Sequence, residues 1–287
     1  VDAVELVARI AGAERIAGEG TAAEELCRLC DGLPLALRIA ASRLAAKPHW
    51  SVRHMVHRLS DERGRLDELV VGDLDVRAGF ESGYRGLSEE AARMYRALGQ
   101  LDVSSFPAWV GAALLDVREA LAEDLIERLV DAHMLVVAGA DSTGTLRYGF
   151  HDLLRLYARE QADAVDSDVE RRAGLERVFR VWSLLAREAN AQEYGDFVGV
   201  RERPPLHPMV RRFVDERLST PLGWFEAERY SIIALIPQMC RLGMEDSARD
   251  LARFSMAFFE QQHHHDEDWR GVRMLLSRFG ARVPAAI

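Results

Sequence analysis

Two stretches carry side chains that could do chemistry. The first is "RYGFHDLLRLYARE", Arg147 to Glu160. A strand-like run gives way to a helix-like run at His151-Asp152. A helix N-terminus favours negative charge, so a titratable pair at that corner could read a phosphate. The same pair could equally be an ordinary cap. The second stretch is "CDGLPLALRIA", Cys30 to Ala40. Gly32 permits an unusual backbone angle, and Pro34 fixes φ and suits the first turn of a helix. Its plain reading is a helix start with an apolar face.

Other clusters offer less. Cys27 and Cys30 form C-x-x-C and share a helix face, but a structural zinc site needs two further ligands and only the distant Cys240 remains. An apolar core role is expected, and no metal site is assigned. "HHHDED", His263 to Asp268, resembles a metal-binding tract but falls between two helical runs, where an exposed loop is expected. His54 and His57 are one turn apart and carry the same two readings. No G-x-S-x-G elbow or H-E-x-x-H motif occurs, so no hydrolase chemistry is supported. A phosphate-cradling loop needs G-x-x-x-x-G-K-[ST]. Lys47, the only lysine, stands in "AAKPHW" without a glycine cradle.

The elements that position these residues are mostly helices. The 287 residues are 48% hydrophobic, which suits two or three packed units. Stripes on residues 4–10, 22–30, 33–44 and 52–59 predict a helical bundle over 1–65. The polar, glycine-containing "DERGRLDELVVGDLD" marks a boundary. Helical patterns follow at roughly 75–84, 88–100, 106–114 and 116–133, and Ser88 offers an N-cap with acids in the first turn. "MLVVAGA", the turn-like "DSTG" and "TLRYGF" predict a β-hairpin. Helices followed by a two-stranded hairpin is the order of a winged-helix domain, placed over 66–163. The remainder, 164–287, reads as helices broken by a proline-containing loop near 195–208. Its later runs, 221–243, 245–262 and 266–280, look like helical hairpins of the kind that stack in TPR-like arrays. The expected fold is mainly α: a helical bundle, a winged-helix domain with one small β-hairpin, and a TPR-like extension.

"GLPLAL", Gly32 to Leu37, resembles the motif of that form in the NB-ARC class of STAND nucleotide switches. "FHDLLR", Phe150 to Arg155, resembles their MHD motif, with Phe150 in place of methionine. "VRAGFESGYRGLSEEAARMY", Val76 to Tyr95, and "WFEAERYSII", Trp224 to Ile233, resemble actinobacterial regulators of the SARP and AfsR-like group. The resemblance covers nearly the whole chain. It implies that Gly32, Leu33 and Pro34 lie beside a nucleotide, with Pro34 against the adenine. It implies that His151 contacts the β-phosphate of ADP, while Asp152 holds the corner as a cap. The phosphate-binding loop and its acidic partner strand are missing, so the chain is expected to begin after the catalytic nucleotide-binding domain and not to hydrolyse ATP itself.

The leading expectation is thus the regulatory segment of a nucleotide-dependent switch from a transcriptional regulator. ADP or ATP with Mg would bind the full-length parent, and no cofactor is expected on this chain alone. Expected partners are the missing N-terminal nucleotide-binding domain and a protein or ligand signal through the TPR-like region. Sparse cysteines and the lack of a long apolar span point to a cytoplasmic protein without membrane partners, and a net charge of −9 argues against a whole surface that binds nucleic acid. Two alternatives stay open: a winged-helix DNA-binding module with a helical dimerisation tail, and a helical-repeat scaffold. Direct DNA contact is disfavoured because the 116–133 helix carries Asp116, Glu119, Glu123, Asp124, Glu127 and Asp131 against only Arg118 and Arg128.

Overall fold

The structure is a computed structural model, and it describes residues 3–195, 206–261 and 274. The expected helix over 266–280, the "HHHDED" tract, and Pro204 and Pro205 lie outside the described residues apart from Met274. The chain is mainly α-helical with two small antiparallel sheets. Packing divides it into two compact units. One comprises residues 1–100, 125–136 and 150–166, the other residues 101–124, 137–149 and 167–287. This division runs through the 66–163 segment rather than along its ends.

The first unit opens with α1 (Ala3–Ala11), α2 (Ala13–Ala17), α3 (Gly20–Leu29), α4 (Pro34–Ala46), α5 (Val52–Leu59) and α6 (Arg65–Glu68). Of the apolar stripes seen in sequence, Val7, Leu26, Leu29, Cys30, Leu37, Ala40, Ala41, Leu44, Val52 and Leu59 are buried, while Val56 is half-buried and Met55 takes the buried place beside it. Pro34 is the first residue of α4, where its missing N–H costs nothing. Ser51 caps α5 by accepting the His54 N–H. Arg15 ties the α4–α5 connection down by donating to the carbonyls of Leu44 (2.6 Å), Lys47 (2.9 Å) and Trp50.

The glycine-containing segment read as a boundary contains a hairpin of its own. In it β1 (Val70–Val71) pairs with β2 (Leu74–Asp75), Val70 opposite Asp75 and Val71 opposite Leu74. Gly72, at φ 55°, makes the tight turn, which an L side chain would strain. Two-residue strands are too short to show an alternating pattern, so the sequence signal was only the turn. Next come α7 (Val76–Arg85), capped by Asp75, and α8 (Glu89–Gly99), capped by Ser88 as expected.

The second unit contains β3 (Ser105–Phe106) and α9 (Ala108–Leu115). After these, α10 (Glu119–Asp131) and β4 (Val136–Ala140) run across the division, β5 (Leu146–Gly149) completes the sheet, and α11 (Asp152–Val165) belongs to the first unit. The expected two-stranded hairpin is a three-stranded sheet of order β3-β5-β4. Ser105 stands opposite Gly149 and Phe106 opposite Tyr148. Pro107 ends β3 after two residues, which hid it from a periodicity search. The long helix α12 (Asp168–Tyr194) starts with a Ser167–Glu170 capping box and buries Phe179, Trp182 and Leu185. It packs on α9, α14 (Pro221–Arg241) and α15 (Glu245–Gln261), while α13 (Pro208–Arg217) precedes that pair. Phe225 and Phe258 stack with ring centroids 5.1 Å apart between α14 and α15.

In the first unit Glu68 accepts from Arg58 at 2.9 and 2.5 Å and pairs with Arg43 at 2.8 Å. The Arg58 hydrogen bonds hold its carboxyl below the ordinary 4.5, against the opposing effect of burial. A depressed folded pKa contributes stability that is full above the ordinary value and is lost as pH falls through the folded value. Glu68→Gln is therefore expected to flatten the acid side of the stability curve below pH 4.5. Urea midpoints measured between neutral pH and about pH 3 check this, and a parallel offset of the two curves at every pH would contradict it.

Candidate functional site

The two motifs singled out in sequence lie about 120 residues apart and meet in the first unit. The meeting point is Asp31, in the turn between α3 and α4. Its backbone is left-handed at φ 54°, followed by Gly32 at φ 65°. Two consecutive left-handed residues reverse the chain after α3, with the Gly32 N–H donating to Cys27 O at 3.1 Å. Asp is among the few non-glycine residues that tolerate this region. The turn aims the Asp31 carboxylate at the start of α11. There Oδ2 lies 2.9 Å from His151 Nδ1 and accepts the Asp152 backbone N–H at 2.7 Å.

This corrects the role expected for Asp152. His151 occupies the N-cap position of α11 without a side-chain cap bond, and Asp152 is the first helical residue. The cap comes from Asp31, on a distant stretch of chain. Asp152 contributes an exposed negative charge in the first turn, favourable to the helix dipole. Sequence reading missed Asp31 although it stands beside Gly32. An Asp before a Gly that ends a helix is a signal for a left-handed turn with a free carboxylate, but not for what the carboxylate reaches.

The expected nucleotide-facing residues are placed as follows. Gly32 and Pro34 are exposed, Leu33 is half-buried, and Asp152 is exposed. The His151 side chain is 38% exposed and that of Asp31 25%, so the pair is reachable from solvent along one edge. Burial raises the Asp31 carboxyl above its ordinary 3.8, more than the neighbouring His151 and the Asp152 N–H lower it. Arg28, on α3, lies close enough to Asp152 to feel its charge. The corner has an apolar ring at Pro34, an imidazole and a helix N-terminus. An imidazole and a helix N-terminus can meet an anion, and a proline ring can meet an apolar face. A lysine and a glycine cradle for the triphosphate are not among them.

Packing behind the corner is firm. Phe150 lies against Tyr95 with centroids 5.4 Å apart, and the Tyr95 hydroxyl donates to Leu154 O at 2.6 Å. Burial pushes the Tyr95 phenol well above its ordinary value. Arg96 binds Asp166 at 3.0 Å and Arg77 binds Glu160 at 2.8 Å, so the C-terminal half of α11 is held.

No protein-family model matches the chain. Over 252 residues it is 39% identical to the regulatory protein AfsR of Streptomyces griseus, a match covering 87% of the chain and 25% of that protein. Over 242 residues it is 39% identical to the regulatory protein AfsR of Streptomyces coelicolor, covering 83% and 24%. The chain resembles one segment of an AfsR-type regulatory protein. It spans about a quarter of the length of these curated relatives. The AfsR likeness runs through most of the chain, so it takes in more than the two short motifs.

In this AfsR-like segment the cysteines and His54 are placed as follows. Cys30 is buried, and burial pushes its thiol up to about 12, as an inert core cysteine. Cys27 and Cys240 are half-buried, and neither is in a disulfide. His54 packs its ring edge-on against Trp50 at 4.7 Å. Among the described residues no three His, Cys, Asp or Glu gather where they could hold a metal ion. Among the same residues no helix is long and apolar enough to cross a membrane.

Proposed function

We propose that the chain is the regulatory segment of a nucleotide-dependent switch of the NB-ARC/STAND type in a transcriptional regulator. One observation carries the reading: the "GLPLAL" turn and the "FHD" corner, far apart in sequence, are joined side chain to side chain through Asp31 and His151. In the resting parent, Pro34 would lie on the adenine and His151 at the β-phosphate of ADP. The phosphates and Mg would be held by a nucleotide-binding domain N-terminal to this chain. His151 then discriminates between nucleotides, because only a contact made differently to ADP and ATP biases a conformational equilibrium. The 66–163 segment would act as a winged helix that moves on exchange. The helices after 164 would begin a TPR-like region that senses a protein or ligand in the cytoplasm. Hydrolysis would belong to the parent and not to this chain.

The DNA-binding alternative finds little support. On α10 and in the turn before it, Asp116, Glu119, Glu123, Asp124, Glu127 and Asp131 are all exposed, against exposed Arg118 and Arg128. Six carboxylates against two guanidinium groups repel a phosphate backbone.

The experiment is His151→Ala in the full-length protein that carries this segment. It is expected to shorten ADP retention by at least tenfold and to raise basal transcriptional output. ADP dissociation measured with a fluorescent analogue, alongside a reporter gene, checks both. Unchanged ADP dissociation together with unchanged output would refute the role given to His151.

A further inference from the structure

We infer that Asp31 fixes His151 in the Nδ1–H form, so that an anion at this corner is engaged only when the ring takes up a second proton at Nε2. The inference rests on the nucleotide reading for the identity of the anion, but not for the geometry. Asp31 Oδ2 is a shared acceptor: it takes the Asp152 N–H at 2.7 Å and faces His151 Nδ1 at 2.9 Å. A carboxylate oxygen already accepting a backbone N–H has no proton to give, so at Nδ1 the imidazole must donate. A neutral imidazole has one N–H. With that hydrogen on Nδ1, Nε2 presents a lone pair, which repels a phosphate oxygen. The tautomer of a histidine is set by the hydrogen bond its other nitrogen makes.

The consequence is proton linkage. For Nε2 to donate to a phosphate oxygen, one proton must come from water onto the Asp31–His151 pair. Whether it ends on the ring or is redistributed to the carboxyl, the pair gains one proton. Anion binding here is therefore tighter at lower pH. Around the pair, Asp152 of α11 and Cys30 after α3 interact electrostatically with Asp31, Arg28 of α3 with Asp152, and Arg65 of α6 with Cys30. Asp31 is in this sense a positioning residue. Its left-handed backbone at φ 54° is what turns the carboxylate towards α11.

Nitrogen-15 NMR of histidine-labelled protein tests the assignment on this chain, with no nucleotide present. At pH 8 the His151 ring is expected to show Nδ1 protonated and Nε2 bare. In Asp31→Gly, which suits the left-handed turn, the ring is expected to move towards the Nε2–H form that free imidazole prefers. Asp31→Asn keeps the cap acceptor and removes the charge, and is expected to give an intermediate mixture should the glycine variant lose structure. Wild-type His151 in the Nε2–H form, or the same tautomer in all three proteins, overturns the inference. In the full-length protein, calorimetry of ADP binding in two buffers of different ionisation enthalpy at pH 8 is expected to show uptake of about one proton per ADP, and less in Asp31→Asn. ADP bound without proton uptake overturns the linkage. No ADP binding at all overturns the nucleotide reading instead, and the tautomer measurement still decides the role of Asp31.

Discussion

Glu228→Ala is expected to cost the second unit about 3–5 kcal/mol, the range for removing one partner of a buried ion pair. Glu228 is 2% exposed and Arg147 6% exposed. Arg147, on β5, donates to Glu228 Oε1 at 2.8 Å, to Ser105 Oγ and O at 3.0 Å each, and to Ser231 Oγ at 3.3 Å. Glu228 also accepts the indole N–H of Trp182 at 3.0 Å. One carboxylate thus joins the sheet, α12 and α14. Its removal strands a buried guanidinium, with Asp141 at 3.4 Å as the nearest other carboxylate, and leaves the Trp182 N–H without its acceptor. Glu228→Gln keeps the shape and one acceptor, so its loss should be smaller, about 1.5–3 kcal/mol for a hydrogen bond to a charged group. The paired change Arg147→Met with Glu228→Leu should recover most of the loss, since well-packed apolar residues often replace a buried pair without penalty. Urea unfolding followed by tryptophan fluorescence reads the second unit through Trp109 and Trp182, whose rings meet at 4.9 Å. An alanine variant within 1 kcal/mol of wild type would show that the pair is solvated in solution.

That network marks the limit of what could be read in advance. The helices were legible because burial on one face imposes a 3.6-residue period: the stripe Leu175, Val178, Phe179, Trp182 and Leu185 is the buried face of α12. The helix starts at Ser88 and Pro34 were legible because their signals act over three residues or fewer. Arg147 and Glu228 lie 81 residues apart and Asp31 and His151 lie 120 apart. Polar partners chosen by tertiary packing leave no periodic trace, and an acidic residue on an apolar helix face looks in sequence like any solvated one. The short strands β1, β2 and β3 were missed for a different reason: two residues cannot alternate. Half of the candidate site was therefore visible, as two motifs with backbone-restricting Gly and Pro. The carboxylate joining them was in plain view beside Gly32, with nothing local to assign it.

The firmness of that corner depends on a close helix contact, which gives the second large expected effect. A Cβ added to Gly99, at the end of α8, would stand 2.5 Å from Ala158 Cβ on α11. Neither atom belongs to a flexible side chain, so the helices must separate. Gly99→Ala is expected to destabilise the first unit by about 1–3 kcal/mol, the usual range for overpacking, and Gly99→Val by more. The same separation strains the bond from Arg159 Nε to Gly99 O at 2.8 Å and the Tyr95 hydroxyl bond to Leu154 O. Ala158→Gly offers a test of cause, since it removes the opposing methyl. Added to Gly99→Ala it should restore part of the loss, while alone it should cost about 0.5–1 kcal/mol as a glycine within a helix. A double-mutant cycle on urea midpoints measures this coupling, and strict additivity of the two changes would sink the explanation. The contact bears on the candidate site because His151 is the N-cap residue of α11. Helices pushed apart at Ala158 should loosen the grip of Asp31 on the Asp152 N–H two turns away. Amide exchange at Asp152 is thus expected to quicken in Gly99→Ala and to slow again in the double variant.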